Sequence, residues 1–347
     1  MGGGLIAAQA KARAALTELL TPVLGQAGED EPLFLVACSG GADSMALAST
    51  AAFLQRKLPF RAGVIIVDHQ LQPATAHVSR STVEQVRAIG LAPVLLRPVT
   101  VPRTDAGLEA DARSARYEAF DEALAQTGAR GILLGHTLDD QAEQVLLGLL
   151  RGSGTRSLAG MPPVREPYYR PLLGLRRAET EAICAKEGLR VWDDPTNEDP
   201  TYTRSKIRTR VLPELEALLG QELGENLART AWICRHDADL LDELAAERHA
   251  ELASRTTDAV ELDLSGLRAT PAALRARVIN FAAAQVGAEA MTFERIRAVE
   301  GLLAGSKSPG PVQLPGGVEV WRGQQAPNPR RQNPAKYGKL VFLAVRS

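Results

Sequence analysis

Leu33-Phe34-Leu35-Val36-Ala37-Cys38-Ser39-Gly40-Gly41-Ala42-Asp43-Ser44 is an apolar run that ends in two glycines and a carboxylate. The first six residues read as a short, fully buried strand. Met45 to Leu54, which follow, read as a helix. A strand that feeds a helix through two glycines makes an anion cradle: backbone N–H groups close on phosphate oxygens and the positive helix end favours the charge. Ser39, Gly40, Gly41, Ala42 and Ser44 would line it, the serines adding hydroxyl donors. No Gly-Lys-Ser/Thr and no GxGxxG is present, so Walker and dinucleotide loops fail on spacing. A carboxylate beside a polyphosphate is repulsive unless a divalent cation stands between them, so Asp43 implies Mg²⁺ as the bridge. Taken alone, Asp43 would only complement the helix dipole, worth under ~1 kcal/mol. Its setting between Ser-Gly-Gly and Ser favours the nucleotide site.

Outward from this loop, apolar strand signals recur at Gly63–Val67, Ala92–Leu96 and Gly131–Leu134, with helices expected near 76–89, 108–127 and 138–150. Repeated β-α units of this kind predict an α/β fold, a doubly wound, Rossmann-like parallel sheet covered on both faces. Such sheets bind ligands at the carboxyl ends of their strands, where Ser39, Asp68-His69 and Gly135-His136 fall. The Gly-, Pro- and Arg-rich stretch from Arg151 to Pro171 reads as a loop, Glu179 to Leu189 as a helix, and Arg204 to Leu212 as a basic helix running toward Pro213. Pro213, Gly220 and Gly224 suggest a domain boundary near 213–224. A mainly helical C-terminal domain is expected beyond it, with helices near 225–255, 271–286 and 291–304, a hairpin at Val312–Val320, and a polar tail before a last strand at Leu340–Val345. The domains expected are 1–215, 216–320 and a tail of 321–347.

The 347 residues suit two domains. A net charge of −1 excludes a global basic field, so any nucleic-acid contact must come from local clusters. The three cysteines stand far apart, without metal or redox spacing, which points to a cytoplasmic protein. Cys38 reads as a small buried hydrophobe. No apolar run reaches the ~18 residues that a membrane span needs.

Gly135-His136-Thr137-Leu138-Asp139-Asp140-Gln141-Ala142-Glu143 is the second constellation. On a helix, His136, Asp140 and Glu143 sit at i, i+4 and i+7 and share one stripe. Thr137 with Asp140 also fits a variant of the capping box, and acids suit a first turn. Capping accounts for Asp140 and leaves His136 and Glu143 unexplained.

Ser39 to Ser44 resembles the PP-loop of the ATP-pyrophosphatase superfamily, and further motifs resemble one branch of it, the tRNA(Ile)-lysidine synthetases. Val67-Asp68-His69 is similar to that family's second-strand motif, and Glu109, Arg113, Arg116 and Tyr117 to its Glu-x₃-Arg-x₂-Arg-Tyr helix. Asp139-Asp140-x-x-Glu143, Arg151-Gly152-Ser153-Gly154, Arg170-Pro171-Leu172-Leu173 and Trp192-x-Asp194-Pro195-x-Asn197 follow in family order. The resemblance covers about residues 30–213 closely, and a helical domain up to Leu314-Pro315-Gly316-Gly317 more loosely.

The resemblance implies adenylation of the C2 oxygen of a wobble cytidine in a CAU-anticodon tRNA(Ile), followed by attack of the ε-amine of free L-lysine. It implies ATP as the second substrate, with Val67 and His69 beside the cradle. Asp140, Glu143 and Asp139 would bind the lysine ammonium and take its proton, Arg113 would stabilise the intermediate, and His136 would stand close by. Arg116, Arg151, Arg204, Lys206 and Arg208 would touch tRNA. Without the family, the arginines of 109–117 and 204–210 would read as solvated helix faces. The chain departs from the family pattern at Ser205, where asparagine is usual, and at Gln70-Leu71-Gln72, where Gly-Leu-Arg is usual. No cysteine pair suits the thiolating relatives. The rivals are a GMP-synthetase-like amidating ligase, for which no glutaminase domain is visible, and a catalytically silent tRNA-binding homologue. A homodimer is one assembly open to the chain.

Overall fold

A computed structural model describes residues 6–26, 31–69, 75–102, 104, 107–152, 154–194, 203–256, 259–304, 310–323 and 338–345. The chain forms two compact units, Met1–Trp232 and Ile233–Ser347.

The first unit runs α1 (Ala7–Leu24), β1 (Leu33–Ala37), α2 (Ala42–Leu54), β2 (Arg61–Asp68), α3 (Thr75–Ala88), β3 (Val94–Pro98), α4 (Leu108–Thr127), β4 (Gly131–Leu134) and α5 (Leu138–Leu150). Then come α6 (Thr155–Leu158), β5 (Val164–Arg165), β6 (Tyr168–Tyr169), α7 (Arg177–Glu187), α8 (Thr203–Lys206), a π-helical turn (Ile207–Val211), α9 (Leu212–Leu219) and the start of α10 (Leu223–Leu252). The sheet order is β3-β2-β1-β4-β6-β5, with β5 alone antiparallel to its neighbour. Alternation along β1 explains the double winding. Phe34 and Val36 join the core packed with α1, α2 and α7, while Leu33 and Leu35 join the opposite core with Phe120 and Ala123 of α4. The order reverses between β1 and β4, which opens a crevice at their carboxyl ends.

The four sequence-expected strands are all present. The reading of 151–171 as loop needs correction, since α6, β5 and β6 lie there. Two-residue strands carry too little periodicity to be seen in a sequence. Cys38 is buried just past β1, and burial pushes its thiol pKa up, consistent with an inert small hydrophobe.

Gly131 lets β6 approach β4. A Cβ there would lie 2.6 Å from the Pro167 carbonyl oxygen and run into the Tyr169 ring. Gly131→Ala is therefore expected to destabilise the unit by about 1–3 kcal/mol, read as a fall in the urea midpoint.

The second unit is helix-rich, as expected, and also contains a five-stranded antiparallel sheet. Its elements are the rest of α10, β7 (Ala253–Arg255), β8 (Ala259–Asp263), α11 (Leu264–Ala269), α12 (Ala272–Gln285), α13 (Phe293–Leu303), β9 (Val312–Leu314), β10 (Val318–Arg322) and β11 (Lys339–Ala344). The order is β7-β8-β11-β10-β9. Val260, Leu262, Val318, Val320, Leu340 and Phe342 face Leu267, Val278, Ile279, Val299 and Leu302 of the helices. The hairpin and last strand match the sequence reading; β7, β8 and α11 were not foreseen. Two boundaries differ from the expectation. Gly220 does end α9, in the left-handed region, but Gly224 falls within the first turn of α10, and the compact units divide at Trp232–Ile233. The last strand pairs with both β8 and β10, so it belongs to the sheet and not to a separate tail.

Candidate active site

The cradle forms as read. Gly40 takes φ +88°, a conformation open to glycine, and α2 begins at Ala42 with Asp43 in its first turn. The Ser44 hydroxyl accepts from the Ser39 N–H (3.2 Å) and donates to the Gly41 carbonyl (3.0 Å), so it braces the loop from within. Ser39 is exposed and Gly41 half-buried. Trp192 closes one side, its N–H donating to the Gly40 carbonyl at 3.0 Å.

Asp43 has partners that the sequence reading missed. Its Oδ1 accepts from the Thr180 hydroxyl at 2.5 Å, and its Oδ2 pairs with Arg177 Nη2 at 3.3 Å, both from α7. Burial raises its pKa to about 6, against the downward pull of Arg177 and Thr180. The signal available in sequence was Arg176-Arg177 at a helix start, where cations oppose the dipole and so need carboxylates. Among the described residues no group of three His, Cys, Asp or Glu is placed to hold a metal. Asp43 offers one carboxylate beside the cradle, a donor that suits Mg²⁺, which takes one or two carboxylates and completes its shell with water and phosphate oxygens.

β4 delivers the second half of the site. Gly135 packs on the backbone of Asp43 and Ser44, where a Cβ would come within 3.0 Å, so the two strand ends touch. His136 lies in the turn before α5, not on the helix, which corrects the single stripe; Asp140 and Glu143 remain on one face. Burial lowers the pKa of His136 to about 4, and its Nδ1 is buried with no partner among the described residues. Asp140 does cap the helix, accepting from the Thr137 N–H at 2.8 Å. Burial pushes its carboxyl up, but His136, the Thr137 N–H and Arg208 outweigh this and leave it below the usual range. Asp139 turns away to accept from the Arg177 N–H at 2.8 Å and so caps α7.

Glu143 is 1% exposed and held by two arginines: Arg208 Nε at 2.6 Å and Arg204 Nε at 3.1 Å. Arg208 Nη2 also pairs with Asp140 at 3.1 Å. The sequence reading placed Arg204 and Arg208 on phosphates or on a solvated face, whereas here they turn inward onto the carboxylates. The π-helical turn that carries Arg208 is a geometry found often at functional sites. Lys206 and Arg151 are exposed.

The remaining site residues gather at the end of β2. Val67 is half-buried in the strand and His69 just beyond it. His69 Nε2 lies 3.4 Å from Arg116 Nη2, and burial with this neighbour lowers its pKa to about 4. Arg113 is exposed, donates to the Tyr117 hydroxyl at 3.2 Å and stacks on its ring. Arg170, quoted in a motif but given no role, is 6% exposed and donates to the Pro162 carbonyl, with Tyr117 beside it. Gln70–Gln72, Ser153, Pro195–Asn197 and the Glu109 side chain lie outside the described residues.

A phosphate cradle with a half-buried carboxylate, joined through Gly135 to an acidic helix at the switch point of a parallel sheet, defines a PP-loop nucleotide enzyme. The PP-loop domain family matches residues 8–215, and the TilS substrate binding domain matches residues 262–326. A tRNA(Ile)-lysidine synthase of Leifsonia xyli subsp. xyli is 50% identical over 82% of this chain and 86% of its own. One of Streptomyces coelicolor is 48% identical over 84% and 83%. The chain belongs to the tRNA(Ile)-lysidine synthase family. A solved U34-tRNA thiolase, NcsA from Methanococcus maripaludis with its [4Fe-4S] cluster, shares the fold at 15% identity and TM-score 0.52, covering 66% of this chain and 80% of its own.

Proposed function

We propose that the protein forms lysidine: it ligates free L-lysine to C2 of the wobble cytidine of CAU-anticodon tRNA(Ile), with ATP converted to AMP and pyrophosphate. The observation that carries this reading is the contact of Gly135 with Asp43–Ser44, which puts the phosphate cradle and the carboxylates of α5 in one site. The cytidine C2 oxygen attacks the α-phosphate and pyrophosphate leaves. The lysine amine then attacks C2 and displaces AMP. Backbone N–H groups of the Ser39–Ser44 loop hold the departing pyrophosphate. Asp43 would hold Mg²⁺, which neutralises charge on the phosphates.

The lysine amine, with an unperturbed pKa of ~10.4, must lose a proton before it attacks. Asp140 and Glu143 supply the negative charge that binds the ammonium and accepts that proton, once Arg204 and Arg208 release them to RNA phosphates. His136 is neutral above about pH 4 and so adds no repelling charge. Arg113 faces the adenylated cytidine, with Arg116 on the RNA backbone beside it. Holding three reactants together supplies much of the acceleration.

In this scheme the first unit is catalytic and the second binds tRNA, with Lys206 and Arg151 of the first unit on the RNA side. No described helix is long and apolar enough to cross a membrane, in keeping with a cytoplasmic enzyme; a homodimer would register by light scattering. Radiolabelled lysine, ATP and Mg²⁺ are expected to label a tRNA(Ile) transcript and not tRNA(Met). Pyrophosphate release without label would keep the adenylation and exclude lysine as the nucleophile. Binding of tRNA with no turnover would leave a silent RNA-binding homologue.

A further inference from the structure

We propose that a cleft in the second unit, lined by Arg268, Arg275, Arg297 and Glu300, binds a phosphate group of the RNA substrate. This rests on the function proposed above. The cleft has a volume of about 570 Å³ and is walled by α11, α12 and α13, with Gly301 and Leu303 also lining it. Three guanidiniums share it with one carboxylate, so positive charge is left over.

The structural duties of these arginines are few. Arg275 ties α12 to α13 through Glu300 (3.0 Å) and donates to the Thr270 carbonyl. Arg268 Nε caps the end of α13 at the Leu303 carbonyl, at 2.8 Å. Arg297 is 66% exposed and reaches Glu300 only at 3.4 Å, from three residues along the same helix. Each guanidinium carries five N–H donors. Among the described residues, both terminal nitrogens of Arg268 and Nη2 of Arg275 and of Arg297 have no hydrogen-bond acceptor. Arg297 adds repulsion that helix packing does not require. Unspent planar donors converging on one cleft match the oxygens of a phosphate, which guanidinium forks bind in parallel pairs.

The test uses the full chain in two measurements. One is filter binding of tRNA(Ile) across a salt series; the other is equilibrium dialysis with radiolabelled inorganic phosphate and pyrophosphate at fixed salt. Arg297→Gln alters an exposed side chain, so its fold should persist. It is expected to weaken tRNA binding about three- to tenfold near ~0.1 M salt and to lower the salt slope by about one contact. ATP binding should stay unchanged. Glu300→Gln removes the one acid among the described lining residues and should tighten RNA binding, a gain that a damaged fold cannot produce.

If Arg297→Gln loses only the free anion and leaves RNA affinity untouched, the RNA assignment is overturned in favour of a free phosphate site. If neither measurement moves in either variant, the site itself is overturned. Wild-type protein that binds tRNA(Ile) but incorporates no lysine would count against the proposed function and leave this test intact.

Discussion

Asp43→Asn is expected to give a protein that resists urea better than the parent and ligates nothing. The carboxylate sits in a place that disfavours its charge: burial lifts its pKa from 3.8 to about 6, although Arg177 and Thr180 pull the other way. At neutral pH the folded state therefore keeps an ionised group at a cost on the order of 2–3 kcal/mol. The sign follows from linkage. The folded pKa lies above the unfolded one, so below pH 3.8 both states are protonated and the cost vanishes. It grows as pH rises toward about 6 and is constant above.

The advantage of the asparagine variant should follow that curve, measured by urea unfolding between about pH 4 and pH 8. An advantage that is absent at pH 7, or that grows toward acid, would remove burial as the dominant influence on Asp43. Loss of activity with gain of stability is the pattern of a charge kept for chemistry.

The second large effect concerns Arg208. It supplies three of the four guanidinium contacts to Glu143 and Asp140. Arg208→Met would leave Glu143, 1% exposed, with Arg204 as its one described cation. Stranding a buried charge costs about 3–5 kcal/mol, a large part of the 5–15 kcal/mol that holds a typical domain folded. Adding Glu143→Gln should restore much of that loss, because the stranded charge is then gone. A double variant no more stable than Arg208→Met alone would show that the cost lies in packing of the arginine stem. The double variant should fail to incorporate lysine, because Glu143→Gln removes negative charge that the ammonium needs.

How much of this was legible depended on distance along the chain. β1 to β4 and their helices were readable because each strand is a continuous apolar run and each helix is long. The cradle was readable because its glycines, serines and carboxylate fall within six residues. Thr180 could not be assigned to Asp43 across 137 positions, nor Arg208 to Glu143 across 65, since nothing local marks such pairs. Periodicity along α5 suggested that His136, Asp140 and Glu143 share a face, but it could not reveal that the helix starts two residues after His136. Ala259-Val260-Glu261-Leu262-Asp263 alternates as a strand should. It lies between α10 and α11, and a short alternating segment amid helical signal is easily absorbed into its neighbours.

The place of β11 has a consequence for how the protein is made. In chain order it is the last strand, yet in the sheet it stands third of five, between β8 and β10. The catalytic sheet has all its strands once Tyr169 has left the ribosome, and it can begin to close while synthesis continues. The second sheet stays in two halves, β7-β8 and β10-β9, each with an open hydrogen-bonding edge, until Lys339–Ala344 arrives to join them. A message cut short before codon 339 would thus yield a finished nucleotide domain tethered to two sticky hairpins, a natural target for proteases and chaperones.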